Sequence, residues 1–231
     1  MSNYLIVGGT KGIGAQIVKL LQNEHQVWVM ARTENPELNA PNVHFIHTDV
    51  TKDAIDATLL PEVLDGIVYC PGSINLKPFN RLSENDFLTD WQVNVLGAVK
   101  SIQAVLPNLK KSEQASVVLF STVAAKTGMP FHASIASAKA ALEGLTVSLA
   151  AELAPKIRVN CIAPSLTNTP LAEKLINTPE KIEASGKRHP LQRIGTPQEL
   201  AELSVFLLSE KSAWMTAQIL HLDGGMSSIK I

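Results

Sequence analysis

The chain has 231 residues, 45% of them apolar, and a formal net charge of −1. That length suits one α/β domain with a large core, and the near-neutral charge argues against nucleic acid or another polyelectrolyte as a partner. Two cysteines, Cys70 and Cys161, form neither a disulfide framework nor a metal motif, so no metal is expected.

The first apolar run, Tyr4–Val7, begins almost at once, with no basic-then-apolar leader before it. No run approaches the length of a membrane span, and the expectation is a soluble cytoplasmic protein without membrane contact. A helical pattern follows near 12–23, then apolar runs at Val27–Met30, Val43–Ile46 and Gly66–Cys70. A long helix is predicted over 84–109, a strand at Ser116–Phe120 and a helix over 131–153, bounded by Pro130 and Pro155. Strands at Arg158–Ile162 and Ile219–Leu222 and helices near 171–177 and 197–208 complete the chain. Strand and helix alternate, so the strands pair in parallel through right-handed crossovers. Their apolar character throughout fits a sheet covered on both faces. The predicted fold is α/β: a Rossmann-type, doubly wound, mostly parallel seven-stranded sheet in one domain spanning 1–231.

Between the first strand and the first helix stands Gly8-Gly9-Thr10-Lys11-Gly12-Ile13-Gly14. Glycines there permit a tight turn and close backbone approach, and the helix start offers free N–H groups to a pyrophosphate. In that context the motif points to a dinucleotide. An acidic residue usually ends the second strand where NAD binds. Here the stretch reads Met30-Ala31-Arg32-Thr33. Arg32 offers a planar fork for a 2′-phosphate, and Lys11 can approach the same group, so NADP(H) is the expected cofactor.

With these features the sequence resembles the short-chain dehydrogenase/reductase family along essentially its whole length. Gly8, Thr10, Lys11, Gly12, Ile13 and Gly14 match the family's cofactor turn, and Asp49-Val50 its adenine-contacting pair. Cys70-Pro71-Gly72 stands where the family has Asn-Ala-Gly, and Asn94-Val95-Leu96-Gly97 matches the element with the active-site asparagine. Arg158-Val159-Asn160 and Pro164-Ser165 match the strand and turn beside the nicotinamide; Thr169 matches a threonine on its carboxamide or phosphate. Lys139 matches the active-site lysine, which also holds the cofactor ribose. Arg193 to Pro197 and Asp223-Gly224-Gly225 match the C-terminal signatures. The resemblance implies a homodimer or homotetramer, with Trp214 and the tail Ser227–Ile231 as candidate contacts, and a mobile substrate lid over 165–195.

One departure bears on the chemistry. The family places a tyrosine four residues before the lysine and a serine thirteen before the tyrosine; here these positions hold Ile135 and Thr122. Threonine can donate a hydrogen bond and isoleucine cannot. Three other proton sources stay open. His132 lies seven residues before Lys139, the spacing of the tyrosine in bacterial enoyl-thioester reductases, although a histidine at a helix start also simply faces solvent. Lys139 can act with Ser134 and Ser137, in a run resembling dienoyl-thioester reductases. Water held by Asn94 and Lys139 is the third. The expected function is NADP(H)-dependent reduction of a carbonyl or activated alkene with altered proton delivery, with Asn94, Thr122, Lys139 and His132 as catalytic candidates. The alternative is a non-catalytic NADP(H)-binding sensor or inactive subunit.

Overall fold

The structure, a computed structural model, describes residues 1–229. Seven parallel strands form one sheet: β1 (Asn3–Val7), β2 (Gln26–Ala31), β3 (Val43–His47), β4 (Gly66–Tyr69), β5 (Ala115–Phe120), β6 (Ile157–Pro164) and β7 (Ile219–Leu222). Their order is β3-β2-β1-β4-β5-β6-β7. Every residue of β5 is buried, as its unbroken apolar sequence requires of a strand covered on both faces. Along β1 the side chains alternate between layers. Tyr4 and Ile6 pack with α1 (Gly12–Leu21) and α6 (Pro197–Leu208), through Ile17, Val18, Leu200 and Leu207. Leu5 and Val7 pack on the other face with α3 (Gly97–Leu109) and α4 (Ala133–Leu153). Each such aliphatic side chain contributes about 1.5–3 kcal/mol on burial.

The chain leaves β1 toward β2 on one side and later returns to β4 on the other. That reversal opens a crevice at the carboxyl ends of the strands, where α/β sheets bind ligands. The register sets what lines it. Val7 pairs with Met30 and with Tyr69, so Gly8, Arg32 and Cys70 all emerge at this edge. The Thr48 amide donates to the Ala31 carbonyl at 3.0 Å, which brings Asp49 alongside.

The sequence pattern predicts one helix over 84–109, and the structure breaks it. It comprises α2 (Glu84–Trp91), a π-helical turn at Gln92–Leu96, and α3. Two side chains claim carbonyls at the break: the Tyr69 hydroxyl donates to Val93 O at 2.6 Å, and Asn94 Nδ2 to Asp90 O at 2.7 Å. Gly97 makes the phenol's approach possible, since a Cβ there would lie 2.0 Å from the Tyr69 oxygen. Single-turn π-bulges of this kind gather at functional sites.

Two further boundaries differ from expectation. α4 starts at Ala133 rather than 131, because Phe131 takes a φ of 71°, a left-handed conformation that cannot continue into a helix. The segment expected to be helical near 171–177 is a 3-10 turn at Pro170–Leu175, followed by a helix the pattern did not reveal, α5 (Pro179–Gly186), capped by Thr178. Gly195 N donates to Leu166 O at 3.0 Å, and Asn168 N to Gly195 O at 2.9 Å, so the 165–195 excursion is tied together at its base. No helix among the described residues is long and apolar enough to cross a membrane.

Candidate active site

The glycine turn has the shape a phosphate needs. Gly8 and Gly12 take φ of 75° and 52°, and a Cβ on Gly14 would lie 2.3 Å from the Gly8 carbonyl oxygen. Glycine is therefore obligatory where α1 packs onto the turn. The N-cap of α1 is Lys11, whose side chain makes no capping bond, so the first-turn amides keep their donors for an anion. Thr10 is buried, and Asn35 Nδ2 donates to its carbonyl at 3.0 Å, tying the turn to the segment after β2. Lys11 and Arg32 are both exposed, and neither forms an ion pair among the described residues. Asp49 keeps one carboxylate oxygen on Thr51, at 3.0 Å from its amide and 2.6 Å from its hydroxyl, which holds the acid below its usual range. Val50 beside it is buried in the core.

Next to the turn lies a cavity of about 370 Å³, within the size range of small-molecule sites. Its walls bring together Ile13 from α1, Cys70 and Gly72 after β4, Thr122 after β5, and His132, Ile135 and Lys139 from α4 and its cap. Pro164 and Thr169 close the far side. Gly8, Thr10, Lys11, Gly12, Gly14, Arg32, Asp49, Val50 and Pro71 lie outside the cavity; Pro71 packs its ring against Gly8, within 3.2 Å of a Cβ there. Burial pushes the Cys70 thiol up to about 12, so it stays protonated near neutrality. No group of His, Cys, Asp and Glu that could hold a metal occurs among the described residues.

Lys139 is 7% exposed, and its Nζ donates to the Phe120 carbonyl at 2.7 Å. Burial lowers its pKa from lysine's ordinary 10.5 to about 8. Asn94 stands behind the wall, fully buried. Its Nδ2 donates to Ser73 Oγ at 2.8 Å as well as to Asp90 O, while its Oδ1 has no partner among the described residues. A Cβ placed on Gly72 would lie 3.4 Å from both Asn94 Oδ1 and Lys139 Nζ, so the two polar atoms converge on one small space. Thr122 accepts from the Ala124 amide at 3.3 Å, leaving its own proton to donate. Neighbouring Ser121 is committed elsewhere: its hydroxyl donates to Glu143 at 2.8 Å.

The sequence did not reveal the polar network that holds Asn94. Asp90 is 1% exposed; one carboxylate oxygen accepts from Ser73 Oγ at 2.6 Å and the other from Ser134 Oγ at 2.5 Å. The i, i+4 spacing of Asp90 and Asn94 was the one local signal for it. Ser134 is thereby turned to Asp90, and Ser137 donates to the Ser134 carbonyl at 2.7 Å. Neither serine lines the cavity, so the expected grouping of Ser134 and Ser137 with Lys139 is not assembled. His132 is half-buried at the cavity wall rather than turned out to solvent, and its Nδ1 donates to Pro130 O at 2.7 Å. No tyrosine lines the cavity among the described residues. Tyr4 and Tyr69 are buried in β1 and β4, where burial raises the pKa of both phenols.

The lysine's burial makes a stability prediction. The unfolded chain holds the Lys139 proton up to about pH 10.5, and the folded protein releases it near 8. Between those values the unfolded state binds more protons, so stability rises with pH; below 8 the full burial cost is felt. In the cofactor-free protein, wild type should gain up to about 3 kcal/mol relative to Lys139→Met as pH rises through this window. Denaturant unfolding of both proteins at several pH values measures it, and a pH-independent difference contradicts it.

Residues 7–227 match the family model described as enoyl-(acyl carrier protein) reductase. The chain is 31% identical to the 3-oxoacyl-[acyl-carrier-protein] reductase FabG of Chlamydia pneumoniae, over 96% of each protein. A short-chain dehydrogenase family protein from Francisella tularensis has a similar structure, with a TM-score of 0.90 at 31% identity, covering 99% of this chain and all of the other. ElxO with NADP bound gives a TM-score of 0.87 at 28% identity over 99% of both chains, and a tyrosine-to-phenylalanine variant of ElxO with NADPH bound gives 0.86. The chain belongs to the short-chain dehydrogenase/reductase family, a family of oxidoreductases built on the Rossmann-like sheet described above.

Proposed function

We propose that this protein is an NADP(H)-dependent oxidoreductase that reduces a carbonyl or an activated alkene without a tyrosine as its acid. The observation that carries the reading is the cavity wall itself. Lys139 and Thr122 line it and Asn94 stands behind it, and Ile135, four residues before Lys139 where the resemblance places a tyrosine, lines it too. The donors fit the cofactor. The uncapped start of α1 would hold the pyrophosphate, Arg32 and Lys11 a 2′-phosphate, and Lys139 a ribose hydroxyl. Asp49 and Val50 would border the adenine, with Cys70, Pro71, Gly72, Pro164 and Thr169 around the nicotinamide. The bound ElxO structures support NADP(H), and the phenylalanine variant shows that in that relative a tyrosine can be lost with NADPH still bound.

The bound nicotinamide supplies a hydride. The protein must orient the acceptor, exclude water and deliver a proton. Thr122 can donate its free proton to a substrate oxygen, and Lys139 with Asn94 can position water in the space beside Gly72. His132 is at the wall as a further donor in its charged form, because the neutral ring spends its one proton on the Pro130 carbonyl. The cavity's remaining lining is largely apolar, through Ile74, Leu76, Phe120, Met129, Leu166 and Leu175, which suits a substrate with an aliphatic or aromatic body. The segment 165–195 would act as the lid of one cofactor-binding domain. A cytoplasmic homodimer or homotetramer remains the expectation; Trp214 is fully exposed, and Lys230 and Ile231 of the tail lie outside the described residues.

The test is NADPH binding by fluorescence, followed by NADPH oxidation with ketones, quinones, β-ketoacyl thioesters and enoyl thioesters. Binding with turnover of at least one class is expected. Tight binding with no turnover, accompanied by a change in assembly state, supports the sensor reading that Ile135 otherwise suggests.

A further inference from the structure

His189 is 3% exposed, yet it lines the cavity together with Ser165, the residue that follows β6. Its Nδ1 lies 2.9 Å from the Ser185 carbonyl and its Nε2 2.8 Å from Ser165 Oγ. A carbonyl only accepts, so Nδ1 carries a proton. In the neutral ring Nε2 is then bare and accepts the Ser165 hydroxyl. In the charged ring Nε2 donates to that oxygen, and the serine proton turns elsewhere. The structure offers it a second, weak acceptor: Met226 Sδ, 3.0 Å from Ser165 Oγ and also part of the cavity wall. A substrate oxygen is a stronger acceptor than a thioether. Both protonation states of the ring are therefore satisfied, and in one of them a serine proton is free to face the cavity.

We propose that Ser165 and His189 form the proton relay that serves this site in place of the missing tyrosine, with Ser165 touching the substrate oxygen and His189 recharging it. The proposal rests on the reductase reading above. Hydride from NADPH bonds to the carbonyl carbon, and the C=O π pair moves to oxygen. That oxygen takes the Ser165 proton, Ser165 takes the proton on His189 Nε2, and the neutral imidazole is reprotonated from solvent. The products are an alcohol and NADP⁺, so electrons and protons balance.

The groups around the ring would set its response to pH. Arg188 precedes it and shares the cavity, as does Lys139. From a smaller cavity on another side come Arg193 and Glu199, paired with each other, and Asp223. A structural alternative has His189 merely pinning α5 to the end of β6. Glutamine separates the two roles, because it can keep hydrogen bonds to Ser165 and Ser185 but cannot carry a transferable proton.

The experiment follows single-turnover NADPH oxidation across pH for wild type, Ser165→Ala, His189→Gln and His132→Gln, each also on the Ile135→Tyr background. NADPH affinity and thermal melting serve as controls. The relay predicts losses of about 10²–10⁴-fold for Ser165→Ala and His189→Gln and removal of the alkaline-limb pH dependence in His189→Gln, since the relay works only while the ring carries its second proton. The same changes on the tyrosine background should cost at least about tenfold less, since the phenol then supplies the proton. Nitrogen NMR of the cofactor-free protein, which needs no turnover, should find neutral His189 as the Nδ1–H tautomer. The Nε2–H tautomer overturns the relay. A wild type that turns over but is indifferent to both substitutions, or that depends on His132 instead, overturns the relay and leaves the reductase reading standing. A wild type that binds NADPH but is silent toward every probe overturns both.

Discussion

Replacing Ile135 by tyrosine should raise the rate of carbonyl reduction about 10²–10⁴-fold, the usual worth of a positioned general acid. Ile135 is 5% exposed on the cavity wall, one helical turn before Lys139 on α4. A phenol there would share the cavity with a buried lysine cation, whose charge lowers a neighbouring phenol's pKa and readies it to exchange protons near neutrality. Thr122 already stands at the same wall with a free proton for the substrate oxygen. The gain should fall on kcat rather than KM, because the new group acts on charge that develops only as the bond forms. Steady-state rates of wild type and variant with one ketone, at matched NADPH affinity, measure it. If wild type reduces an enone or thioester and the tyrosine brings no gain, the cavity has been rebuilt around another proton source. The Ser165–His189 pair is the first to examine.

Arg32→Asp should reverse the cofactor preference, lowering NADPH affinity by about 10²-fold while improving that for NADH. Charge-assisted hydrogen bonds from a guanidinium to phosphate are worth about 1.5–3 kcal/mol, and a carboxylate in the same place repels the phosphate instead. Arg32 follows directly on β2, at the strand end where a ribose is read, and it is exposed and unpaired among the described residues. It therefore gives up no existing ion pair to bind phosphate. Asp49 is nearby, since Thr48 bonds to Ala31, but its carboxylate is engaged by Thr51. An aspartate at 32 would accept hydrogen bonds from the ribose hydroxyls that NADH exposes. Fluorescence titration of wild type and variant with both cofactors measures the switch. Equal affinities in wild type, unmoved by the substitution, would remove the basis for assigning NADP(H).

Local pattern alone determined the alternation of strand and helix, the parallel sheet, the glycine turn and the isoleucine four residues before Lys139. Each is written in neighbouring residues: an unbroken apolar run must be covered on both faces, and a glycine turn after a strand has few uses. The helix over 84–109 reads as continuous because its apolar spacing is continuous. It breaks where Tyr69, from a different strand, takes the carbonyl of Val93 and Asn94 takes that of Asp90. The site shows the same division. Lys139, Thr122 and Cys70 could be placed by their spacing from recognisable elements. Asp90 acquires its meaning from Ser73 and Ser134, which lie 17 and 44 residues away in the chain. His189 reaches Ser165 across 24 residues of chain, most of it carrying no periodic signal. Whether such polar side chains point into solvent, into one another or into a cavity depends on strand register and on how a long loop closes. Local propensity does not encode that, and only the packed tertiary structure decides it.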